Sequence, residues 1–434
     1  MNHNMCRNGR RKAAPISTRT ILTLAYFAAA SLAATLLAAT FLAPAAQAQT
    51  ESVLYYFEYG NGDAPNSTLV LDSQGNLFGT TQYGGLHGKG VAFELAPDGT
   101  ESILHNFGGG TAAYPTGLIS DAAGNLYGVS AGIGAKGNHG YYGTVFELKN
   151  RRKDRKGLPY GFDRLYNFTN LNQATNGAVP VAGLVVDAQG NVFGTTSEGG
   201  AFNSGTIFEV TPTRTESVLY NFTGGADGSH PWGGLIRDSQ GNFYGTTYQG
   251  GTGSGCGLAG CGVVFKLATD GTETVLYNFT GGADGSGPLG GLVLDGQGNL
   301  YGTTIGGGNL TCSGTGCGVV FEIAAGGGET VLYSFLGASD GSHPETSLIL
   351  DGQGSLYGTT NEGGGSNCNG YGCGTVFKIS AGAETVLYRF TGSTDGGTPL
   401  AGLVMDSQGN LYGTTESGGF GCVSGCGVVF KITP

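Results

Sequence analysis

A short block of residues recurs seven times along this chain, and this repetition limits the fold more than any other feature. The block reads GLVLDGQGNLYGTT at Gly291–Thr304. Its other six copies begin at Thr68, Gly117, Gly183, Gly234, Ser347 and Gly402. A period of roughly 50 residues is typical of repeat architectures such as propellers and solenoids, in which each unit buries its apolar surface against its neighbours.

Each repeat contains four short runs of β-branched and aromatic residues, separated by clusters of Gly, Asn, Asp and Pro. We name the predicted strands A (GLVLD), B (NLYGTT), C (GVVFKL) and D (ETVLYNF), as at residues 291–295, 299–304, 262–267 and 273–279. This composition and punctuation predict β-strands joined by turns. The Asp-x-x-Gly-Asn segment between A and B predicts a tight hairpin, in which the Asp side chain caps local amides and Gly supplies a positive φ.

The alternation within the predicted strands indicates that each sheet buries apolar surface. In strand C, Val263, Phe265 and Leu267 point away from Val264 and Lys266, and strand D alternates in the same way. A single four-stranded sheet cannot bury such surface alone, whereas seven sheets arranged radially bury it between them.

The two ends of the repeat region favour a closed ring over an open solenoid. The region begins with a D-like run at Ser52–Phe57 and ends after a C-like run at Val428–Ile432. Pairing these two runs completes the seventh sheet and leaves no free strand edge. The sequence therefore predicts an all-β fold, a seven-bladed β-propeller of four-stranded blades over residues 49–434, closed by its N-terminal strand.

Residues 1–48 have the composition of a secretory signal. Basic residues precede an apolar run at Ile21–Ala43 and the small-residue pattern Ala46-Gln47-Ala48. We predict cleavage before Gln49 and a secreted or periplasmic protein. An uncleaved anchor is the alternative, because the apolar run is long enough to span a bilayer.

The charge of the chain argues against a nucleic-acid partner. The whole chain has 20 Lys and Arg against 31 Asp and Glu; removal of the five basic residues before Gln49 leaves 15 against 31, a net charge of −16. Such a surface repels phosphate backbones. No second long apolar run follows the signal, so we predict no membrane association after cleavage, and we expect a monomer.

The repeat unit resembles a known family. The pattern DxxGNLYGTTxxGG…GxVFxL…TVLYxF is similar to the GloVer tandem repeat, found in secreted bacterial proteins that carry different C-terminal surface anchors, and the resemblance covers residues 51–434. It implies a secreted repeat protein with propeller-like repeats and implies no particular activity. The order of the strands also resembles that of NHL-type propellers.

Eight of the nine cysteines form close pairs in the B–C loops of repeats four to seven. We predict one local disulfide in each loop, because zinc sites use tighter spacings or histidines and an exported chain favours oxidation. The predicted bridges are Cys256–Cys261, Cys312–Cys317, Cys368–Cys373 and Cys422–Cys426.

In a propeller the D–A and B–C loops share one face, and these loops vary between repeats whereas the A–B turns do not. We therefore expect ligand binding on the face that carries the D–A and B–C loops. The sequence predicts that five aspartates occupy equivalent Asp-Gly or Asp-Ala places in D–A loops, namely Asp63, Asp227, Asp284, Asp340 and Asp395. They predict either ordinary Asp-Gly turns or an acidic rim for a divalent cation such as calcium. No cofactor motif is present, so we expect no cofactor.

His230 and His343 share a Gly-Ser-His-Pro context, and Trp232 is the only tryptophan. An aromatic face suits the apolar face of a sugar ring, whereas internal packing is the alternative role. The candidate ligand-binding residues are therefore Asp227, His230, Trp232, Asp284, Asp340, His343 and Asp395.

Sequence features that suggest catalysis are less specific than those that suggest ligand binding. Glu198, Glu362 and Glu416 follow strand B in three repeats and could act as acid and base of a glycosidase, or be solvated loop carboxylates. The G-x-S-x-G match at residues 337–341 lies between strands and is a chance match. A basic cluster interrupts the C–D connection of repeat two and predicts a solvated hairpin or a contact with an acidic glycan or partner; it comprises Lys149, Arg151, Arg152, Lys153, Arg155 and Lys156.

These observations predict a secreted, non-catalytic binding module for an extracellular ligand or protein, with carbohydrate as the leading ligand class. A propeller enzyme that hydrolyses or cleaves extracellular glycans is the alternative. An enzyme should gather carboxylates or His into one asymmetric cluster, whereas a symmetric binding module should spread equivalent residues around the ring.

Overall fold

The computed structural model describes residues 49–108, 112–132, 141–150, 160–169, 175–180, 183–310, 312, 314–365, 368, 370–422 and 425–433. These residues form seven antiparallel sheets arranged as the blades of a β-propeller, which confirms the predicted fold class. The predicted signal at 1–48 and residues 151–156 of the basic cluster lie outside the described residues.

Within each blade the strands lie side by side in the order A, B, C, D. The A strands are Val70–Leu71, Pro115–Ser120, Val185–Val186, Ile236–Arg237, Val293–Leu294, Ile349–Leu350 and Val404–Met405, with a further piece, Ala178–Pro180, in blade three. The B strands are Leu77–Thr81, Leu126–Ser130, Val192–Glu198, Phe243–Thr247, Leu300–Thr304, Leu356–Thr360 and Leu411–Thr415. The C strands are Val91–Leu95, Tyr141–Asn150, Thr206–Val210, Val263–Leu267, Val319–Ile323, Thr375–Ser380 and Val428–Thr433. The D strands are Glu101–Asn106, Tyr160–Thr169, Glu216–Asn221, Glu273–Asn278, Glu329–Ser334, Ala383–Arg389 and, for blade seven, Thr50–Tyr56.

The ring closes through the first described strand. Thr50–Tyr56 pairs antiparallel with Val428–Thr433, with Thr50 opposite Thr433 and Tyr56 opposite Val428. The D strand of blade seven is therefore supplied by the opposite end of the repeat region, as the phase of the repeats predicts.

Phenylalanine rings fill the space between neighbouring blades. Phe279, at the end of strand D in blade four, packs against Phe321 of strand C in blade five, with ring centroids 5.1 Å apart. Gly302 in strand B leaves room for this ring, because a Cβ added there would lie 2.6 Å from Phe321 Cζ. The Gly of each NLYGTT run is thus required by core packing.

The A–B turns are held by their aspartates. The Asp295 carboxylate accepts hydrogen bonds from the backbone amides of Gln297 and Asn299, at 2.9 and 2.8 Å, and from the Tyr301 hydroxyl at 3.1 Å. Burial acts to raise the pKa of Asp295, but these hydrogen bonds together lower it. The repeated Asp-x-x-Gly-Asn segment is therefore a structural turn, as predicted.

Helical structure among the described residues is limited to one 3-10 turn at Gly257–Ala259. No helix in the described part of the chain is long and apolar enough to cross a membrane.

Candidate functional site

The D–A and B–C loops lie on the same face of the ring, as predicted. Residues of D–A loops form isolated bridges with residues that follow strand B, for example Ser229 with Gln249 and Ser342 with Glu362. We call this side the loop face, and the side of the A–B and C–D turns the turn face.

A cavity of about 740 Å³ runs along the axis and is lined by the A strands of all seven blades. Its lining residues are Gly, Ser, Thr, Leu, Ile, Val and Met, without a charged side chain. The A strands approach closely where they begin, since a Cβ added to Gly234 would lie 3.2 Å from Cα of Gly183 in the next blade. Charged groups near the axis are therefore found outside this cavity, in the segments that precede the A strands.

These segments contain a ring of seven pre-proline residues. All seven have φ between 54° and 62°, and they are Ala64, Tyr114, Val179, His230, Gly287, His343 and Thr398. Only glycine adopts this conformation without strain, yet six of the seven are other residues. Both sequence-predicted histidines belong to this ring, and the positive φ recurs in all seven blades whatever the side chain.

On one side of the ring the residues around the pre-proline positions are apolar. Trp232 follows Pro231 and is 42% exposed. Gly287 leaves space for the Tyr248 ring, because a Cβ added at residue 287 would lie 2.9 Å from Tyr248 Cε2. Ile305 lies beside the same glycine. We call Trp232, Tyr248, Leu289 and Ile305, on blades four and five, the apolar arc.

The next two blades carry polar groups at three of the four corresponding positions; the fourth, in blade seven, is Leu400. Glu345 occupies in blade six the place of Trp232, and its Oε1 accepts a hydrogen bond of 3.0 Å from Asn361 Nδ2. Glu416 follows strand B of blade seven, and its backbone N–H donates to the Thr398 carbonyl at 3.0 Å. We call Glu345, Asn361 and Glu416 the polar arc.

The carboxyl groups of the polar arc influence one another. Burial raises the pKa of Glu416, and the nearby Asp63 and Glu345 carboxylates raise it further. Burial also raises the pKa of Glu345, which the Asn361 hydrogen bond and His343 oppose. His343 Nδ1 lies 3.2 Å from Glu362 Oε2. The ring therefore brings several ionisable groups from separate repeats into one asymmetric cluster.

Four of the predicted aspartates lie elsewhere, at the outer edge of the loop face. Asp227 accepts hydrogen bonds from the Tyr220 hydroxyl at 3.0 Å and from the Thr223 amide at 2.8 Å. Asp284, Asp340 and Asp395 have the same two types of partner. Their tyrosines belong to strand D, the outermost strand of each blade, so the four carboxylates are held at the outer side of the D–A loops.

The predicted equivalence of Asp63 with these four aspartates is wrong. Asp63 forms a bridge with Tyr83, just as Ser229 bridges to Gln249. Asn61 takes the place of Asp227, since its Nδ2 donates to the Tyr55 hydroxyl. The displacement by two residues puts the Asp63 carboxylate beside Glu416 instead of in the outer turn.

The outer aspartates face a glutamate of the following blade. Burial raises the pKa of Glu273 to about 7, and the neighbouring Asp227 contributes to this shift. Glu329 and Glu384 are raised to about 7 in the same way, beside Asp284 and Asp340. Carboxyl groups with raised pKa values therefore recur between blades, away from the axis.

We expect these inter-blade carboxyl groups to make the protein more stable at pH 5 than at pH 8. The folded state binds these protons more tightly than the unfolded state, so the free energy of unfolding falls as pH rises from about 4.5 to about 7. Thermal unfolding at several pH values measures this. Glu273→Gln should reduce the dependence, whereas Glu94→Gln on strand C serves as a control; a thermal midpoint that rises through this interval would contradict the assignment.

The structure clarifies the predicted catalytic candidates. Glu362 lies beside His343, and Glu416 joins the polar arc. Glu198 ends strand B of blade three, on another side of the ring. Sequence reasoning missed Glu345, although its place after His343-Pro344 matches that of Trp232 after His230-Pro231.

All four predicted disulfides are present. They join Cys256 to Cys261, Cys312 to Cys317, Cys368 to Cys373 and Cys422 to Cys426, each within one B–C loop. The blades that carry them, four to seven, also carry the apolar and polar arcs.

The described member of the basic cluster is engaged in ion pairs. Lys149 Nζ lies 3.4 Å from Glu147 and 3.2 Å from Asp163. Asp163 also pairs with Arg214 at 2.8 Å. Lys149 therefore helps to hold strands C and D of blade two together.

Several solved structures of distant sequence are similar in fold to this chain. A streptogramin B lyase is 12% identical with a TM-score of 0.58, over 90% of this chain and 99% of the lyase. A catalytically inactive variant of virginiamycin B lyase from Staphylococcus aureus, with quinupristin, is 12% identical with a TM-score of 0.56, over 89% and 99% of the two chains. The extracellular domain of a putative hybrid two component system from B. thetaiotaomicron is 9% identical with a TM-score of 0.52, over 86% of this chain and 39% of that one. At these identities the likeness shows the fold alone.

Among proteins with curated functions, no match was found. The model of the Gloeobacter/Verrucomicrobia repeat matches residues 39–259 and 159–371, two overlapping stretches that cover most of the chain. This agrees with the resemblance that the repeated motif carries. The chain belongs to the Gloeobacter/Verrucomicrobia repeat family.

Proposed function

We propose that this protein is a secreted or periplasmic binding module that holds an extracellular ligand on the loop face, between the apolar arc and the polar arc. The observation that carries the proposal is the asymmetry of the ring. Positions that are equivalent in the repeat hold Trp232 in blade four and Glu345 in blade six. A purely structural ring has no need for such a difference, since the core positions of the same blades are nearly identical.

Carbohydrate is the ligand class that these groups suit best. An exposed indole offers a flat apolar face to a sugar ring. Carboxylate, amide and imidazole groups on the other side supply acceptors and donors for hydroxyl groups. The predicted net charge of −16 for residues 49–434 disfavours an anionic ligand, so a neutral or cationic glycan is expected.

The test is a glycan array probed with residues 49–434 of the protein, followed by calorimetric titration of each hit. Binding to neutral or amino sugars that is lost in Trp232→Ala supports the proposal. Binding restricted to anionic glycans, or an array without any hit, would contradict it. Titration with calcium alone tests the acidic rim, whose outer aspartates already accept hydrogen bonds within their own loops.

A second candidate function, hydrolysis or cleavage of a bound glycan, is favoured by one observation. Burial raises the pKa values of both Glu345 and Glu416, and the Glu345 carboxylate raises that of Glu416 further, which favours a protonated carboxyl group that can act as a general acid. A streptogramin B lyase is similar in fold to this chain, which supports this candidate. Assaying turnover of each array hit distinguishes the two functions. If the protein is an enzyme, Glu416→Gln should abolish turnover and retain binding. If no hit is turned over, the protein is a binding module.

A further inference from the structure

The disulfides lie close to the backbone that holds the two arcs. In blade six, the carbonyl of Cys373 accepts a hydrogen bond of 2.8 Å from the N–H of Thr398, the pre-proline residue of blade seven. The carbonyl of Thr398 then accepts one of 3.0 Å from the N–H of Glu416. Two backbone hydrogen bonds thus connect the disulfide of one blade to a carboxyl-bearing residue of the next.

The same connection recurs at the other disulfides. Cys317 accepts from His343, whose carbonyl accepts from Asn361, at 2.9 and 3.1 Å. Cys261 accepts from Gly287, and Cys426 accepts from Ala64, at 2.9 and 3.2 Å. Each disulfide is therefore connected by a backbone hydrogen bond to the pre-proline residue of the following blade, and the disulfides of blades five and six are connected in this way to residues of the polar arc.

Each of three bridges also packs against the start of the D–A loop that it holds. A Cβ added to Gly392 would lie 2.3 Å from Cys368 Sγ, and one added to Gly337 would lie 2.4 Å from Cys312 Sγ. At Gly281 the Sγ atoms of Cys256 and Cys261 would be 2.9 and 2.8 Å away. The D–A loop is thus held at two points, its first glycine and its pre-proline residue.

The B–C loops that carry a bridge are longer than those of blades one and three. An equivalent backbone hydrogen bond closes the loop in each case, from Gly90 to Gly84 in blade one and from Gly205 to Gly199 in blade three. In the blades with disulfides the corresponding bonds are Gly262 to Gly250, Gly318 to Gly307, Gly374 to Gly363 and Gly427 to Gly418. A longer, glycine-rich loop has more conformations available to it, and a cross-link removes many of them.

We propose that the disulfides of blades five and six are positioning elements for the polar arc, which fix His343, Asn361, Thr398 and Glu416 across the boundary between blades. This inference rests on the proposed ligand site, since it gives the bridges a purpose beyond stability. In blades one and three the carbonyls of Lys89 and Ser204 accept the bonds from Tyr114 and His230 without a bridge. Loss of a disulfide is therefore expected to loosen the connection while the blade remains folded. A fixed arc lowers the ordering cost of binding.

The test measures amide hydrogen exchange without any ligand. In Cys368→Ser/Cys373→Ser the amides of Thr398 and Glu416 should exchange about tenfold faster, since loss of a short-loop cross-link favours local opening. The control is Cys256→Ser/Cys261→Ser, which should accelerate exchange at Gly287 and Ile305 and leave Thr398 and Glu416 unchanged. Faster exchange confined to the cysteine loop itself, or equal acceleration of Thr398 by both variants, would overturn the proposal.

A second variant keeps the test informative if the cysteine pair cannot be removed. Gly392→Ala drives a Cβ into Cys368, whereas Gly382→Ala, at φ +75° against +73° for Gly392, carries the same backbone strain in open space. Only the first should accelerate exchange at Thr398 and Glu416; equal effects of the two would count against positioning by the bridge. Amide exchange is measured without any glycan. An array without a hit would therefore overturn the proposed function but would not decide whether the disulfides position the polar arc.

Discussion

Deletion of residues 49–58 should open the ring and lower the free energy of unfolding by on the order of 5 kcal/mol or more. The deleted segment supplies strand D of blade seven and Phe57, which is buried and packs against Phe93 of blade one with ring centroids 5.1 Å apart. Loss of a buried Phe alone costs about 3–5 kcal/mol, and the deletion also removes a complete row of strand hydrogen bonds. Thermal and denaturant unfolding measure the effect.

A point variant separates closure of the ring from general damage to the chain. Phe57→Ala should lower the free energy of unfolding by about 3–5 kcal/mol. Ser52→Ala changes an exposed residue of strand Thr50–Tyr56, which directly precedes Phe57, and should alter the midpoint little. A deletion variant that unfolds at the same temperature as the intact protein would show that the pairing of Thr50–Tyr56 with Val428–Thr433 does not hold the propeller together.

Trp232→Ala should weaken binding of a glycan identified on the array by about 1–3 kcal/mol, which is about fivefold to 150-fold in affinity. The indole is the largest exposed side chain of the apolar arc, so its loss removes the stacking surface. Glu345→Gln should also weaken binding, because it removes a charged acceptor while retaining the shape of the side chain. Calorimetric titration of each variant gives the change in affinity.

Two control variants test the location of the site. Leu258→Ala changes a fully exposed apolar residue in the B–C loop of the same blade as Trp232, and Gln297→Ala changes an exposed residue of the turn face. Neither should alter the affinity measurably. Equal losses from Trp232→Ala and Gln297→Ala would place the ligand away from the two arcs.

Features written into each repeat could be predicted from the sequence. Strand order, the capped A–B turns and the four disulfides depend on residues close together in the chain, such as Asp295 with Asn299 or Cys256 with Cys261. Ring closure could be predicted as well, because the last repeat lacks a D strand and the repeat region begins with one. In each case the determining interaction is local or is repeated seven times.

The site itself could be predicted only in part, because it depends on how different repeats meet. Glu345 and Glu416 lie in separate repeats, and only the ring brings their carboxyl groups together. The predicted equivalence of Asp63 with Asp227 fails because the loop of Asp63 reads Asn-Gly-Asp-Ala where the loop of Asp227 reads Asp-Gly-Ser-His. The residue equivalent to Asp227 is therefore Asn61. Exchanges of paired residues between blades are not visible in the repeat either: Tyr55 donates a hydrogen bond to Glu101 where blades seven and one meet, whereas His105 stacks on Phe162 where blades one and two meet.

A ligand that binds on the loop face between the apolar and polar arcs should protect the backbone amides there. Amide hydrogen exchange of residues 49–434, with and without the glycan that binds most tightly on the array, measures this protection. We expect protection in the segments around residues 230–248, 343–361 and 398–416, with no change at the A–B turns such as 295–299. Protection at the A–B turns, with the pre-proline segments unchanged, would contradict it.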